Sequence, residues 1–155
     1  MSINNEQQNQ LQDILQHAEE VCRNNGEHFT NLRKSIFELL LNSYKPLKAY
    51  EIVDMLRNIG RKVQAATVYR ILDVLINLGL VHRINALNAY IPCTGNHDDK
   101  FAIIFICSKC AKTSEIDDPV ICDTIQKKFY DLGMHINNNC IEISGTCKKC
   151  QYNID

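Results

Sequence analysis

No apolar run in this 155-residue chain approaches the ~20 residues that a membrane span needs. The longest, residues 101–107, has the length of a strand. The first residues, MSINNEQQNQLQ, lack both a basic segment and an apolar core, so no secretory leader is expected there. An excess of one charge is missing too. The chain holds 17 Lys+Arg against 18 Asp+Glu, a formal net charge of -1, which does not advertise a nucleic-acid partner. These absences argue against a membrane protein and lead us to expect a cytoplasmic one. Hydrophobic residues make up 45%, enough for a packed core and against global disorder. The length suits one domain or two small ones.

Cysteine is what the chain does have, with eight. In a secreted protein they would suggest a disulfide framework. Without a leader, two tight Cys-x-x-Cys pairs favour metal instead. The pairs are Cys107/Cys110 and Cys147/Cys150. Two intervening residues let both sulfurs converge on one ion, and four thiolates make a closed tetrahedral zinc site. The 36 residues between the pairs exceed the common ribbon gap, so the intervening chain must bring the two turns together. A redox dithiol is the rival. Such a thiol normally sits at a helix N-terminus, whereas Cys107 follows a strand and a second strand is expected after Cys110. Cys22, Cys122 and Cys140 read as small core hydrophobes. His17, His28 and His135 read as non-ligands.

The first half is helical. Leu11, Ile14, Leu15, Ala18, Val21 and Cys22 recur at helical spacing over about residues 7–24, ending at Asn25-Gly26. Thr30 caps a second helix with Leu32, Ile36, Phe37, Leu39 and Leu40 inward. A third covers about 49–58 and a fourth about 66–78, stopped by Gly79. On the fourth, Val68, Ile71, Leu72, Leu75 and Ile76 share one face; Ala66, Arg70, Asp73 and Asn77 share the other, with Tyr69 at the border. Its first turn is small, with Ala65, Ala66 and Thr67, so it can approach DNA closely. Arg can take a guanine edge or a phosphate, and Tyr a phosphate or a thymine methyl.

Charge is distributed unevenly. From Arg57 to Arg70 there are four basic residues, Arg57, Arg61, Lys62 and Arg70, and no acidic one. Such a run is more often a solvated face than a binding site, and the helix pair could be ordinary packing. Runs at 80–84 and 89–92, joined by Asn85-Ala86-Leu87-Asn88, add a hairpin and so a winged-helix arrangement.

Residues 94–100, TGNHDDK, read as a hinge. After it come an apolar strand covered on both faces, the first Cys-x-x-Cys turn and a short strand near 113–116. Asp118-Pro119 starts a helix with Ile121, Ile125, Phe129 and Leu132 inward. A last strand precedes the second Cys-x-x-Cys. So small a half needs a staple, either metal or pairing across a dimer axis. The fold class is α+β: a winged helix-turn-helix domain at 1–93, the hinge at 94–100, and a small α/β dimerisation and metal-binding domain at 101–155. His82, Cys93, His97 and Glu115 form no motif by spacing alone.

FTNLR, KAYEIVDML, ATVYRILDVLINLGLVHRI, YIPC, FICSKC and ISGTCKKC together resemble the ferric uptake regulator family, most closely its zinc uptake regulator branch. The likeness covers nearly the whole chain. It implies a homodimer that binds double-stranded operator DNA, with two zinc ions per subunit. Cys107, Cys110, Cys147 and Cys150 would hold structural zinc; His82, Cys93, His97 and Glu115 would hold regulatory zinc. Tyr50 and Arg70 fall at the family's DNA-contact positions, and Ala66, Thr67, Tyr69, Arg61 and Lys62 join them as candidates. Repression of zinc-uptake genes follows, with no catalysis, membrane or small-molecule substrate. Within the family an iron or peroxide sensor is the alternative; outside it, a thiol redox enzyme or a zinc store. Two features depart from the pattern. The family often has Leu-Thr-Pro-Gln-Arg where this chain has Phe29-Thr30-Asn31-Leu32-Arg33, and the segment between Cys93 and Cys107 is about a residue short. A Cys-His-His-carboxylate set suits tetrahedral zinc better than octahedral iron.

Overall fold

The computed structural model describes residues 5–93, 95, 101–136 and 140–152. Four helices come first: α1 (Asn5–Asn24), α2 (Asn31–Leu41), α3 (Ala49–Asn58) and α4 (Ala65–Asn77). Local signals mark several of their ends. Thr30 Oγ1 accepts the Arg33 amide at the head of α2. Glu51 reaches back to the Lys48 amide at 2.8 Å at the head of α3. Gly79, at φ 71°, takes the left-handed conformation just past α4. Their inward faces make one core from Ala18, Cys22, Ile36, Phe37, Leu40, Ile52, Leu56, Val68, Leu72 and Leu75.

The wing follows. β1 (Val81–Ile84) pairs antiparallel with β2 (Ala89–Pro92), around a 3-10 turn at Asn85–Leu87. Asn88 closes that turn at φ 48°, a left-handed conformation that asparagine tolerates. Leu47 adds a third, one-residue strand: it exchanges backbone hydrogen bonds with Tyr90 at 3.0 and 2.8 Å. Periodicity cannot foresee a single bridging residue.

The second half is a three-stranded sheet in the order β4 (Thr113–Ile116), β3 (Ala102–Cys107), β5 (Cys140–Gly145). β3 pairs antiparallel with β4 and parallel with β5. The parallel pair needs a crossover, and α5 (Pro119–Asp131) supplies it. α6 (Lys148–Tyr152) is a short helix holding the last cysteine, which the sequence reading did not expect. β3 is covered on both faces as expected. Ala102, Ile104 and Ile106 pack against Ile84 and Ile91 of the wing. Phe101 and Ile103 pack against Cys122 and Ile125 of α5.

The inner face of α5 differs from expectation. Cys122 is buried and Ile125 packs on the sheet, but Ile121, Phe129 and Leu132 are 43%, 41% and 60% exposed. The helix carries apolar residues on two sides, and spacing alone did not tell which side faces the sheet.

Candidate metal centres and nucleic-acid face

The first centre is built by strand pairing. Cys107 ends β3 and stands opposite Gly145 at the end of β5. The first knuckle closes through the Ala111 amide on the Cys107 carbonyl, with Ala111 at φ 58°. Gly145 accepts from both the amide and the hydroxyl of Ser108, at 2.8 and 3.0 Å, which ties the two knuckles together. One ligand atom from each of Cys107, Cys110, Cys147 and Cys150 lies within 4.8 Å of the others. The sulfurs of Cys110 and Cys147 are 3.8 Å apart. The backbone amide of Cys147 donates to Cys107 Sγ at 3.4 Å, and such amide bonds hold the Cys107 thiol down at about 6. Thiol hydrogen bonds to Cys110 and Cys147 push Cys150 up to about 12. Four sulfurs in so small a volume suit a tetrahedral dication.

The second centre joins separate sheets. His82 lies on β1, Cys93 directly follows β2 and Glu115 lies on β4. Their ligand atoms also fall within 4.8 Å of one another. His82 Nε2 is 3.2 Å from Glu115 Oε1, with side chains only 5% and 9% exposed. Cys93 Sγ donates to Glu115 Oε1 at 3.7 Å and to the Gly95 carbonyl at 3.5 Å. Burial, and then the Glu115 charge, push the Cys93 thiol up to about 12, so it carries its proton at neutral pH. His97, the fourth expected ligand, lies outside the described residues. Imidazole, thiol and carboxylate converging at a largely buried point form a borderline donor set that suits zinc.

The remaining face is on α3 and α4. Val68, Leu72 and Leu75 are buried and anchor α4. Ala66 and Arg70 are exposed beyond them, Tyr69 is 47% exposed, and Thr67 is half-buried. Tyr50 on α3 is 61% exposed, with Lys48 Nζ 5.9 Å from its ring centre. Lys62 is exposed and Arg61 half-buried, in the turn joining the two helices. Lys48 was not singled out in the sequence, because its approach to Tyr50 depends on how the chain enters α3.

Residues 24–144 match the profile of the ferric uptake regulator family. The chain belongs to that family. Among its relatives is the zinc uptake regulation protein of Escherichia coli K12, 28% identical over 140 residues, spanning 90% of this chain and 82% of that one. A solved zinc uptake regulator complexed with zinc and DNA is 27% identical, with TM-score 0.79 over 92% of this chain and 96% of that one. The crystal structure of holo XcZur superposes with TM-score 0.77, and that of apo XcZur with 0.51; each is 28% identical. They cover 90% and 91% of this chain, and 98% and 97% of their own.

Proposed function

We propose that this protein is a zinc-responsive transcriptional repressor that binds operator DNA as a zinc-loaded homodimer and controls zinc-uptake genes. The observation that carries the reading is the cluster of His82, Cys93 and Glu115. It draws one donor each from β1, the chain just after the wing and β4. With His97 it would form a four-ligand regulatory site. Cys107, Cys110, Cys147 and Cys150 would hold structural zinc. Zinc, when bound at the second site, supplies the positive charge that lets thiolate, imidazole and carboxylate share one small volume.

The residues themselves do the rest. Cys93, once deprotonated, His82 and Glu115 would each supply one ligand atom, and Glu115 on β4 would thereby tie the wing to the sheet. The winged domain is thereby fixed relative to the dimerisation domain, and two recognition helices can meet successive major grooves. A 100-fold gain in DNA affinity requires about 2.7 kcal/mol of differential zinc binding. The apolar outer side of α5, with Val120 72%, Tyr130 74% and Leu132 60% exposed, supports pairing of two copies. Arg70, Tyr69 and Tyr50 are the proposed anchors on DNA, with Ala66, Thr67, Arg61 and Lys62 around them.

A gel shift at fixed salt against the protein's own promoter regions tests the reading. Zinc should promote the complex and a chelator should dissolve it. Arg70→Ala should weaken binding roughly 10- to 100-fold at unchanged zinc content. Binding indifferent to zinc, or driven by ferrous iron instead, would overturn it.

A further inference from the structure

We propose that Glu142 is a positioning residue for the metal switch: it latches the wing onto the C-terminal sheet and so sets how readily the His82–Cys93–Glu115 cluster assembles. The inference rests on the reading of that cluster as the regulatory site.

The strand register carries it. Ile104, in the middle of β3, stands opposite Glu115 on β4 and opposite Glu142 on β5. Residues paired in register point to the same face of a sheet. That face is the one on which Ala102, Ile104 and Ile106 pack against Ile84 and Ile91 of the wing. The wing therefore lies between two carboxylates in one row, two strand spacings or roughly 10 Å apart. Each carboxylate grips a different part of it. Glu115 Oε1 lies 3.2 Å from His82 Nε2. Glu142 Oε1 accepts the Asn85 amide at 2.6 Å, and Glu142 Oε2 accepts the Ala86 amide at 3.0 Å. These two amides open the 3-10 turn Asn85–Leu87, where a turn's own carbonyls offer them no partner. A charged acceptor on both makes the contact stronger than a neutral one.

The two grips do different work. Glu115 belongs to the cluster, whereas Glu142 takes the backbone amides of Asn85 and Ala86, and its β5 position is across the sheet from the ligands. His82 can meet Glu115 only while the wing is docked. Any contact that favours docking without touching the ion raises apparent metal affinity, because it raises the fraction of molecules ready to bind. Reciprocally, metal at the cluster must tighten the latch.

Glu142→Ala and the milder Glu142→Gln test this in the full-length protein, with the four-cysteine zinc in place. Competition against a chromophoric chelator reads zinc affinity at the second site. Hydrogen exchange of the Asn85 and Ala86 amides, with that site stripped, reads the latch directly. We expect roughly tenfold weaker second-site zinc binding for Glu142→Ala, a smaller loss for Glu142→Gln, faster exchange at both amides, and one tightly held zinc per chain throughout. Unchanged zinc affinity in Glu142→Ala, or unchanged exchange, overturns the latch. Loss of both zinc ions together also overturns it, since Glu142 would then serve only folding. His82→Ala is the control for the underlying reading. It should lose second-site zinc yet keep the two amides protected, and if it instead binds zinc as the parent does, the regulatory assignment itself fails.

Discussion

Cys93→Ala separates the two proposed metal sites most cleanly. The thiol makes only weak hydrogen bonds, at 3.5 Å to Gly95 and 3.7 Å to Glu115. Its loss should cost at most about 1 kcal/mol of intrinsic stability. In the zinc-loaded protein it removes a ligand, and even second-sphere partners of a metal are worth 10- to 100-fold in affinity, so at least roughly 100-fold is expected. With free zinc at 100 times the parent's Kd, binding to the folded state adds about 2.7 kcal/mol. For a chain of this size each kcal/mol moves Tm by about 2–4 °C, so zinc should raise the parent's Tm by about 5–11 °C. The variant at the same zinc concentration sits near its own Kd, gains about 0.4 kcal/mol and should rise by about 1 °C. The assay is a pair of melting curves, with and without added zinc, on protein stripped of loosely held metal. Zinc is counted in the same samples. An undiminished zinc-dependent rise would remove Cys93 from the ligand set. Loss of all zinc from the variant would show that the division into two sites is wrong.

Cys107→Ser should behave differently. Structural zinc is worth about 10–16 kcal/mol in small metal-dependent folds, so the second half should lose its strands, seen as falling circular dichroism, and the protein should elute as a monomer. Gly145→Ala should cost about 1–3 kcal/mol in urea unfolding, because the new methyl would sit 2.7 Å from Phe105 Cε2; Phe105→Leu should restore part of the loss, and a neutral result would show that the ring yields freely. Glu51→Gln probes the cap of α3. The Lys48 amide holds the Glu51 carboxyl below its ordinary value, so its stabilisation is present above the carboxylate range and is lost as pH falls through the lowered value. The parent should exceed the variant by about 0.5–1 kcal/mol near pH 7 and match it near pH 3; a pH-independent gap would refute the charge-based account.

Local signals made much of the fold legible. Thr30, Asp118-Pro119 and Gly79 mark element ends because caps and left-handed stops are decided within four residues. The four-cysteine centre was legible for the same reason: each knuckle is local, and one parallel strand pair unites them. His82, Cys93 and Glu115 were suggested by resemblance rather than by spacing, since their meeting depends on how two separate sheets dock. Glu142 gave no signal. Its role depends on the β3–β5 register and on a turn 56 residues earlier in the chain. The inner face of α5 was assigned to the wrong stripe, because a helix with apolar residues on two sides offers two stripes and spacing does not choose between them.

Why one centre should be permanent and the other responsive follows from what links their ligands. Cys107 and Cys147 lie at the ends of β3 and just beyond β5, two strands bonded in register over six residue pairs. Their separation is fixed whenever the sheet is folded, so metal binding there is folding energy. His82 and Glu115 belong to a two-stranded and a three-stranded sheet that are not paired with each other. Among the described residues, apolar contact of Ile84 and Ile91 with β3 and the Glu142 hydrogen bonds hold those sheets together beside the cluster. Such a joint can open without unfolding either part. On the proposed reading the same ion chemistry would have a different outcome in each place: across β3 and β5 it would stabilise a fold, and across the wing and β4 it would select an arrangement of two folds. Cys93 adds to this distinction. The Cys93 thiol, buried beside Glu115, would have to lose its proton to serve as a ligand, so binding at this centre should weaken as pH falls.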